Sequence, residues 1–280
     1  MRADQRARRD AFLAKIGVRP VVMGILNLTP DSFSDGGQFP DTGAAVARAQ
    51  GMATEGCDIV DVGGESTRPA ATPVPEDEEL ARVGPVLVEL ARTLDVAVSI
   101  DTYKAGVAAK AAALGAVVIN DVWGLQRDPA MADTVAVAEA AVVIMHNRTE
   151  RDDTVDILSD VRRFFDRSLR LAANAGIPKE RIVLDPGIGF GKTAWQNLAC
   201  VARLGELKDY GLPILIGASR KAFLRSLVRD LGEATIFGTV AVALAAATNG
   251  ASIFRVHDVA AHVAALRVFH TIRAARQPSS

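Results

Sequence analysis

The sequence predicts a single-domain (β/α)8 barrel of the TIM type, with a short N-terminal extension. Three observations carry that prediction. Eight short runs rich in Val and Ile recur along the chain, each with the continuous apolar character of a strand buried on both faces. Helix-period segments separate them. The strand-helix pair repeats every ~20–40 residues, over a total close to the ~250 residues such barrels need. The strand runs are 21–28, 57–62, 97–100, 117–122, 141–145, 182–184, 213–217 and 251–256. Helices are expected over 43–54, 77–92, 104–114, 153–175, 195–207, 234–248 and 259–275, with a weaker segment at 128–139. Several of these helices end at a glycine that leads into the next strand, as at Gly56, Gly115, Gly176 and Gly250. A doubly wound open sheet shares this alternation and is the competing fold. A closed ring has the advantage of removing both sheet edges. The barrel is placed at 21–275 and the extension at 1–20.

Composition sets bounds on function. The chain has 280 residues, is 49% hydrophobic and 23% charged, and so belongs with globular rather than disordered chains. A net charge of −1 supplies no overall field for nucleic acid or an anionic membrane, so any anion must be bound by local placement. Cys57 and Cys200 have no metal-ligand spacing and are expected as reduced core thiols, a disulfide being the alternative. The first ten residues mix Arg2, Arg6, Arg8 and Arg9 with Asp4 and Asp10, and no apolar core and cleavage site follow. They read as a solvated helix or frayed end, not as a secretion signal. The Ala-rich run 240–247 is too short to span a bilayer. A cytoplasmic location is expected.

The chemistry is expected at the strand tips, where barrel enzymes place it. Those tips carry Asn27, Asp61 with Glu65, Asp101, Asn120 with Asp121, His146, Asp185, Ser219, and Arg255 with His257. For Asp61 and Asp121 taken singly, a helix cap or turn is the simpler reading, because Asp favours both. Arg255 and His257 lie two apart at the end of an apolar run, so in a strand they share a face and outline an anion pocket. Ser219-Arg220-Lys221 follows the seventh run and opens a helix, whose free N–H groups favour an anion. Lys221, Arg255 and His257 are expected to converge there.

Two polar, glycine-bearing runs follow early strands: Thr29-Pro30-Asp31-Ser32-Phe33-Ser34-Asp35-Gly36-Gly37 and Gly63-Gly64-Glu65-Ser66-Thr67-Arg68-Pro69. Their hydroxyls, Arg, Pro and single aromatic suit loops that close over a charged aromatic substrate. The run Pro186-Gly187-Ile188-Gly189-Phe190-Gly191-Lys192-Thr193 approaches a phosphate-binding P-loop. The glycine that motif needs five residues before Gly191 is Pro186, and a nucleoside triphosphatase is rejected.

Read in order, these fragments resemble the dihydropteroate synthase family, the folate-pathway enzymes that sulfonamides target. The carriers are Met23-Gly24-Ile25-Leu26-Asn27 with the loop after it, Gly63 to Pro69, Ser99-Ile100-Asp101-Thr102, Ile119-Asn120-Asp121, Asp185-Pro186-Gly187, Ser219-Arg220-Lys221 and Arg255-Val256-His257. The resemblance covers about 21–270. It implies a transferase, usually homodimeric, that joins p-aminobenzoate to 6-hydroxymethyl-7,8-dihydropterin diphosphate with Mg²⁺ assisting. It also implies pterin binding by Asp101, Asn120, Asp185 and Lys221. Arg255, His257 and Lys221 would meet the diphosphate, and Asn27 the metal. Phe33, Ser34, Asp35, Thr67, Arg68, Pro69, Phe190 and Ser219 would form the p-aminobenzoate pocket and its loops. Diphosphate binding would order the loops, so that the pterin binds first. Partners would be these small molecules, with sulfonamides as competitors. The chain departs from the common family pattern at Ala70, Ala222 and Arg225. Two alternative readings share the pterin carboxylates: a methyltetrahydrofolate-dependent methyltransferase and a non-catalytic pterin-binding homologue.

Overall fold

The computed structural model describes residues 1–29, 41–66, 72–227 and 235–275. Eight parallel strands form one sheet in the order β6-β5-β4-β3-β2-β1-β8-β7. They are β1 (Val21–Asn27), β2 (Ile59–Gly63), β3 (Ala97–Asp101), β4 (Val118–Asp121), β5 (Ala141–Met145), β6 (Ile182–Asp185), β7 (Leu215–Ile216) and β8 (Ile253–Val256). A parallel bridge from Leu184 to Ile214 brings the two ends together and closes the ring. The barrel, not the open sheet, is the fold. Around it run α1 (Ala3–Leu13), α2 (Thr42–Thr54), α3 (Glu76–Thr93), α4 (Ala105–Leu114), α5 (Met131–Ala138), α6 (Ile157–Asn174), α7 (Ala194–Ala202), α8 (Ala222–Leu227), α9 (Thr235–Thr248) and α10 (Val259–Ala274).

Strand alternation sorts the core into two layers. Val22, Leu26, Val60, Val62, Val98, Ile100, Val142, Ile144, Phe254 and Val256 face outward and pack under the helices. Val21, Met23, Ile59, Ala97, Val118, Ala141, Val143, Val183, Leu215 and Ile253 face inward and fill the lower half of the barrel. The upper half of the same inward face is polar, and that contrast makes the site.

Differences from the sequence reading have local causes. α6 starts at Ile157 rather than at 153 because Asp156 caps it, its carboxylate accepting from the Ser159 amide at 2.9 Å. α7 stops at Ala202, and a 3-10 turn takes Leu204–Tyr210. Three-residue periodicity keeps Leu204 and Leu207 on one buried face of that turn. α1 is a helix, as read, but not a freely solvated one. Gln5, Arg9 and Phe12 are buried, and Phe12 plugs the lower end of the barrel against the inward layer. The linker below α1 is clamped by Asp58, which accepts from Lys15 at 3.0 Å, from Arg19 at 2.5 Å and 2.9 Å, and from the Val22 amide at 3.1 Å. Burial pushes the Asp58 carboxyl up, but these bonds outweigh it and hold it below its usual range. Cys57 and Cys200 are buried free thiols. Among the described residues no helix is long and apolar enough to cross a membrane.

Truncating Phe12→Ala should lower stability by about 3–5 kcal/mol through the cavity it leaves. Urea unfolding measures the loss. Substrate affinities should not change, because the plug lies at the end of the barrel opposite the polar strand tips.

Candidate active site

Barrel register decides which polar residues meet. Asp61 on β2 lies level with Ser99 on β3, and Asp101 lies level with Gly63 on one side and Asn120 on the other. Asn27 is also level with Gly63, and Asp185 with Met145. Gly63 is an empty rung: a Cβ there would sit 3.7 Å from the Asn27 amide oxygen and 3.6 Å from the Asp101 Cβ. Its lack of a side chain leaves open the space that Asn27 and Asp101 border.

Arg255 closes this floor. Its Nε donates to Asp61 Oδ2 at 2.6 Å and its Nη2 to Asp101 Oδ2 at 2.6 Å. Asn120 donates its amide to the same Asp61 oxygen at 3.0 Å. Asp61 is fully buried and Asp101 nearly so. Burial pushes the Asp101 carboxyl up to about 7, against the pull of Arg255 and with Asp61 adding to the rise. The other oxygens of both carboxylates and the Ser99 hydroxyl are buried without a hydrogen-bond partner among the described residues. Buried acceptors in that state are costly and favour a ligand that supplies donors.

The opposite wall is built by the loop after β6. Asp185 accepts from the Gly187 amide at 2.7 Å. Burial raises its carboxyl, with Lys221 opposing. Lys221, one residue before α8, donates to the Ile188 carbonyl, and its ammonium lies 4.4 Å from the centre of the Phe190 ring. Burial lowers Lys221 to about 7, although Asp185 pulls the other way. His257 meets the Ser219 hydroxyl from two sides: Nδ1 lies 3.0 Å and the backbone N–H 3.2 Å from it.

The structure thus brings Asn27, Asp101, Asn120 and Arg255 together on the floor. It groups Asp185, Lys221 and Phe190 on one wall, and Ser219 with His257 at the rim. Lys221 and Arg255 have different partners: the Lys221 ammonium donates to the Ile188 carbonyl, and the Arg255 guanidinium to Asp61 and Asp101. The expected site residues Phe33, Ser34, Asp35, Thr67, Arg68 and Pro69 lie outside the described residues. Asp121 has the local role read for it, accepting from the Trp123 and Leu125 amides at 2.8 Å and 2.6 Å. Asp61 does not. It is the anchor of Arg255, and the signal for it was a carboxylate in the middle of Ile-Val-Asp-Val-Gly, on the inward parity of a strand buried on both faces. Lys192 also went unassigned by sequence. Its ammonium is used up by His146 Nδ1 at 2.8 Å and by the carbonyls of Gly187 and Phe190 at 2.8 Å and 3.1 Å, so it has no proton left for a nucleotide phosphate.

Volume does not pick out this cup. A hollow of about 650 Å³ lies elsewhere, bordered by α1, α4 and α5 and lined largely by alanines such as Ala109, Ala112 and Ala113. Chemistry distinguishes the two, because only the cup gathers buried acids, amides and cations.

A closed parallel barrel with this ring of strand-tip acids, amides and cations defines a barrel enzyme for a small, hydrogen-bonding, anion-bearing molecule. Known proteins narrow that class. The pattern of the pterin binding enzyme family matches residues 23–257, and the chain belongs to that family. It is 44% identical over 241 residues to a dihydropteroate synthase of Bacillus subtilis, covering 86% of this chain and 84% of that one. A Clostridium difficile dihydropteroate synthase solved in the presence of pteroic acid superposes with a TM-score of 0.89 at 46% identity, covering 92% of this chain and 98% of that one. A Xanthomonas albilineans dihydropteroate synthase with 4-aminobenzoic acid gives 0.87 at 46% identity, covering 91% and 94%. Within the family, this chain stands with the dihydropteroate synthases.

Lys221 sets a pH signature. Its lowered value means that the native state holds fewer protons than the unfolded state between about pH 7 and its ordinary pKa near 10.4. Its contribution to stability is therefore present at high pH and lost as the pH falls toward 7. Between pH 7 and 8.5, urea unfolding of Lys221→Met should show a smaller rise of stability with pH than the wild type.

Proposed function

We propose that the cup joins p-aminobenzoate to 6-hydroxymethyl-7,8-dihydropterin diphosphate, giving 7,8-dihydropteroate and diphosphate. The methylene–oxygen bond to diphosphate breaks, a carbon–nitrogen bond to the arylamine forms, and the amine loses one proton. The observation that carries this reading is the buried floor, where Asp61 and Asp101 each keep one carboxylate oxygen without a hydrogen-bond partner among the described residues, beside Asn120 and opposite Asp185.

A pterin edge presents an amino group and ring N–H groups beside a carbonyl. Carboxylates accept from the first two, and an amide or ammonium donates to the third. Asp185, Asp101 and Asn120 suit the donor edge, and Lys221 suits the carbonyl or a ring nitrogen. Lys221 near 7 and Asp101 near 7 can each hold or release a proton at working pH, so either can match the ring's own protonation.

The leaving diphosphate is met by donors that are in place before it forms. Arg255 spends two of its five N–H donors on Asp61 and Asp101 and keeps three for an anion. His257, fixed by Ser219, stands two residues further along the same face. Preorganised donors of this kind stabilise developing negative charge at little reorganisation cost. The Asn27 amide oxygen, beside the open rung at Gly63, suits Mg²⁺, a hard cation that takes few protein ligands when it shares substrate oxygens. When bound, Mg²⁺ would neutralise charge on the diphosphate. The arylamine would lie along Phe190 and Ser219, the site that sulfonamides contest. A homodimer would use the side formed by α7, α9 and α10, where Trp195, Phe237, Val268 and Ile272 are exposed. We place the protein in the cytoplasm, in keeping with its two reduced thiols.

The decisive assay is diphosphate release that requires both substrates, which also separates this reading from a methyltransferase or a non-catalytic binder. Arg255→Ala should lower turnover by about 30–1000-fold, the ~2–4 kcal/mol typical of a lost transition-state donor. Asp185→Asn should instead raise the KM for the pterin diphosphate. Turnover unchanged by Arg255→Ala would refute the anion assignment. Calorimetry should detect p-aminobenzoate binding only when diphosphate is present, and tight binding in its absence would refute a pterin-first order.

A further inference from the structure

Behind the wall of the cup, a charged relay runs from the surface to the loop after β6. Asp160 on α6 is partly exposed and lies 3.2 Å from His146 Nε2. His146 Nδ1 lies 2.8 Å from the Lys192 ammonium, and both residues are almost fully buried. Lys192 donates its remaining protons to the Gly187 and Phe190 carbonyls. The contacts admit a proton on either side of the Lys192–His146 bond, and burial, which lowers His146 to about 4 and Lys192 only to about 8, favours the lysine. Lys192 is an ammonium and fills His146 Nδ1, so the imidazole carries its proton on Nε2 and gives it to the Asp160 carboxylate. Burial and then the Lys192 charge lower His146 to about 4, and the bond from His146 leads the causes that lower Asp160 to about 2. Both directions agree with that arrangement at neutral pH.

The relay grips a tight turn. The Phe190 amide donates to the Gly187 carbonyl at 3.1 Å, and Lys192 binds the carbonyls at both ends of that turn. Gly187, at a φ of +69°, lies so close to β5 that a Cβ would come within 1.9 Å of the His146 carbonyl oxygen. Gly189, at +86°, lies against Lys221, with 2.6 Å from a built Cβ to Lys221 Cδ. Only glycine satisfies both the left-handed backbone and the close approach. The turn in turn sets two groups that face the cup: its Ile188 carbonyl receives Lys221, and its Phe190 ring lies over the same ammonium. Asp101 and Asn120, by contrast, are fixed by their strands and have no hydrogen bond to the relay, and Asp185, though it accepts from the Gly187 amide, is itself the last residue of β6.

We propose that Lys192, oriented by His146 and Asp160, is the positioning residue of the arylamine subsite. It touches neither substrate. Asp185 is carried by β6 and Lys221 by the segment before α8, so Phe190 is the one cup-facing side chain of the three that the turn itself carries, and the relay governs p-aminobenzoate recognition more than pterin recognition. The proposal rests on the reading that Phe190 borders the p-aminobenzoate site.

The test is steady-state dihydropteroate formation, with the KM of each substrate measured separately and folding followed by circular dichroism and Tm. Lys192→Met should raise the KM for p-aminobenzoate at least tenfold and leave that for the pterin diphosphate within threefold. His146→Leu should act in the same direction. Asp160→Asn keeps an acceptor for the imidazole N–H and should stay within twofold of wild type on both. If the buried variants do not fold, Asp160→Ala decides the matter at a partly exposed position, with a rise of threefold or more expected for p-aminobenzoate alone. A folded Lys192→Met enzyme with unchanged KM values, or KM values rising together in step with a fall in Tm, overturns the positioning role alone, as does an unchanged KM in Asp160→Ala. A wild type that forms no dihydropteroate overturns the functional reading and this proposal with it.

Discussion

Everything in the cup depends on the Arg255 guanidinium held between Asp61 and Asp101. The arginine and Asp61 are 194 residues apart in sequence, and the pairing of β1 with both β8 and β2 makes them neighbours. Two carboxylates within a barrel would repel each other and lose their hydration. A guanidinium between them satisfies both and is still left with free donors. Pairs of this kind add little to stability, because desolvation offsets most of the attraction. What they do is fix the floor: a cation at a known height, flanked by acceptors whose second oxygens stay open.

The barrel divides its labour along its axis. Below, the inward face is wholly apolar and is plugged by Phe12, so the lower half supplies cohesion. Above, the same strands switch to Asn27, Asp61, Ser99, Asp101, Asn120, Asp185 and Arg255. On six of the eight strands the switch occurs within two residues, as from Ile59 to Asp61 or from Ile253 to Arg255, and β5 and β7 stay apolar. Such a buried polar layer survives because the well-packed lower half and the outer apolar layer hold its frame rigid. Function here draws on the rigidity of the scaffold, and the same logic extends to the loop after β6, held by a lysine that meets no substrate.

The fold was legible because both of its signals are local. Val- and Ile-rich runs mark strands buried on both faces, and caps such as Asp156 mark helix starts. Site residues were legible where a polar group ends an apolar run, as at Asn120, Asp185 and His257. Asp61 was harder, because an aspartate near a strand end is so often a cap, and only register shows that it points inward. The relay of Asp160, His146 and Lys192 could not be read: the sequence marks His146 as a strand tip and Lys192 as part of a near P-loop, but its members lie on three elements and nothing local joins them. The helix at the N-terminus hid its role for another reason: one phenylalanine among arginines gives no periodic signal, yet it seals the barrel.

A crystal structure of the complex with pteroic acid tests the central claim most directly. The account predicts the pterin ring inside the barrel, its donor edge within hydrogen-bond distance of the Asp185 carboxylate, with Asp101 and Asn120 also in contact and Arg255 still anchored on Asp61. A ring seated outside the strand tips, with Asp101 and Asp185 untouched by ligand, would contradict it.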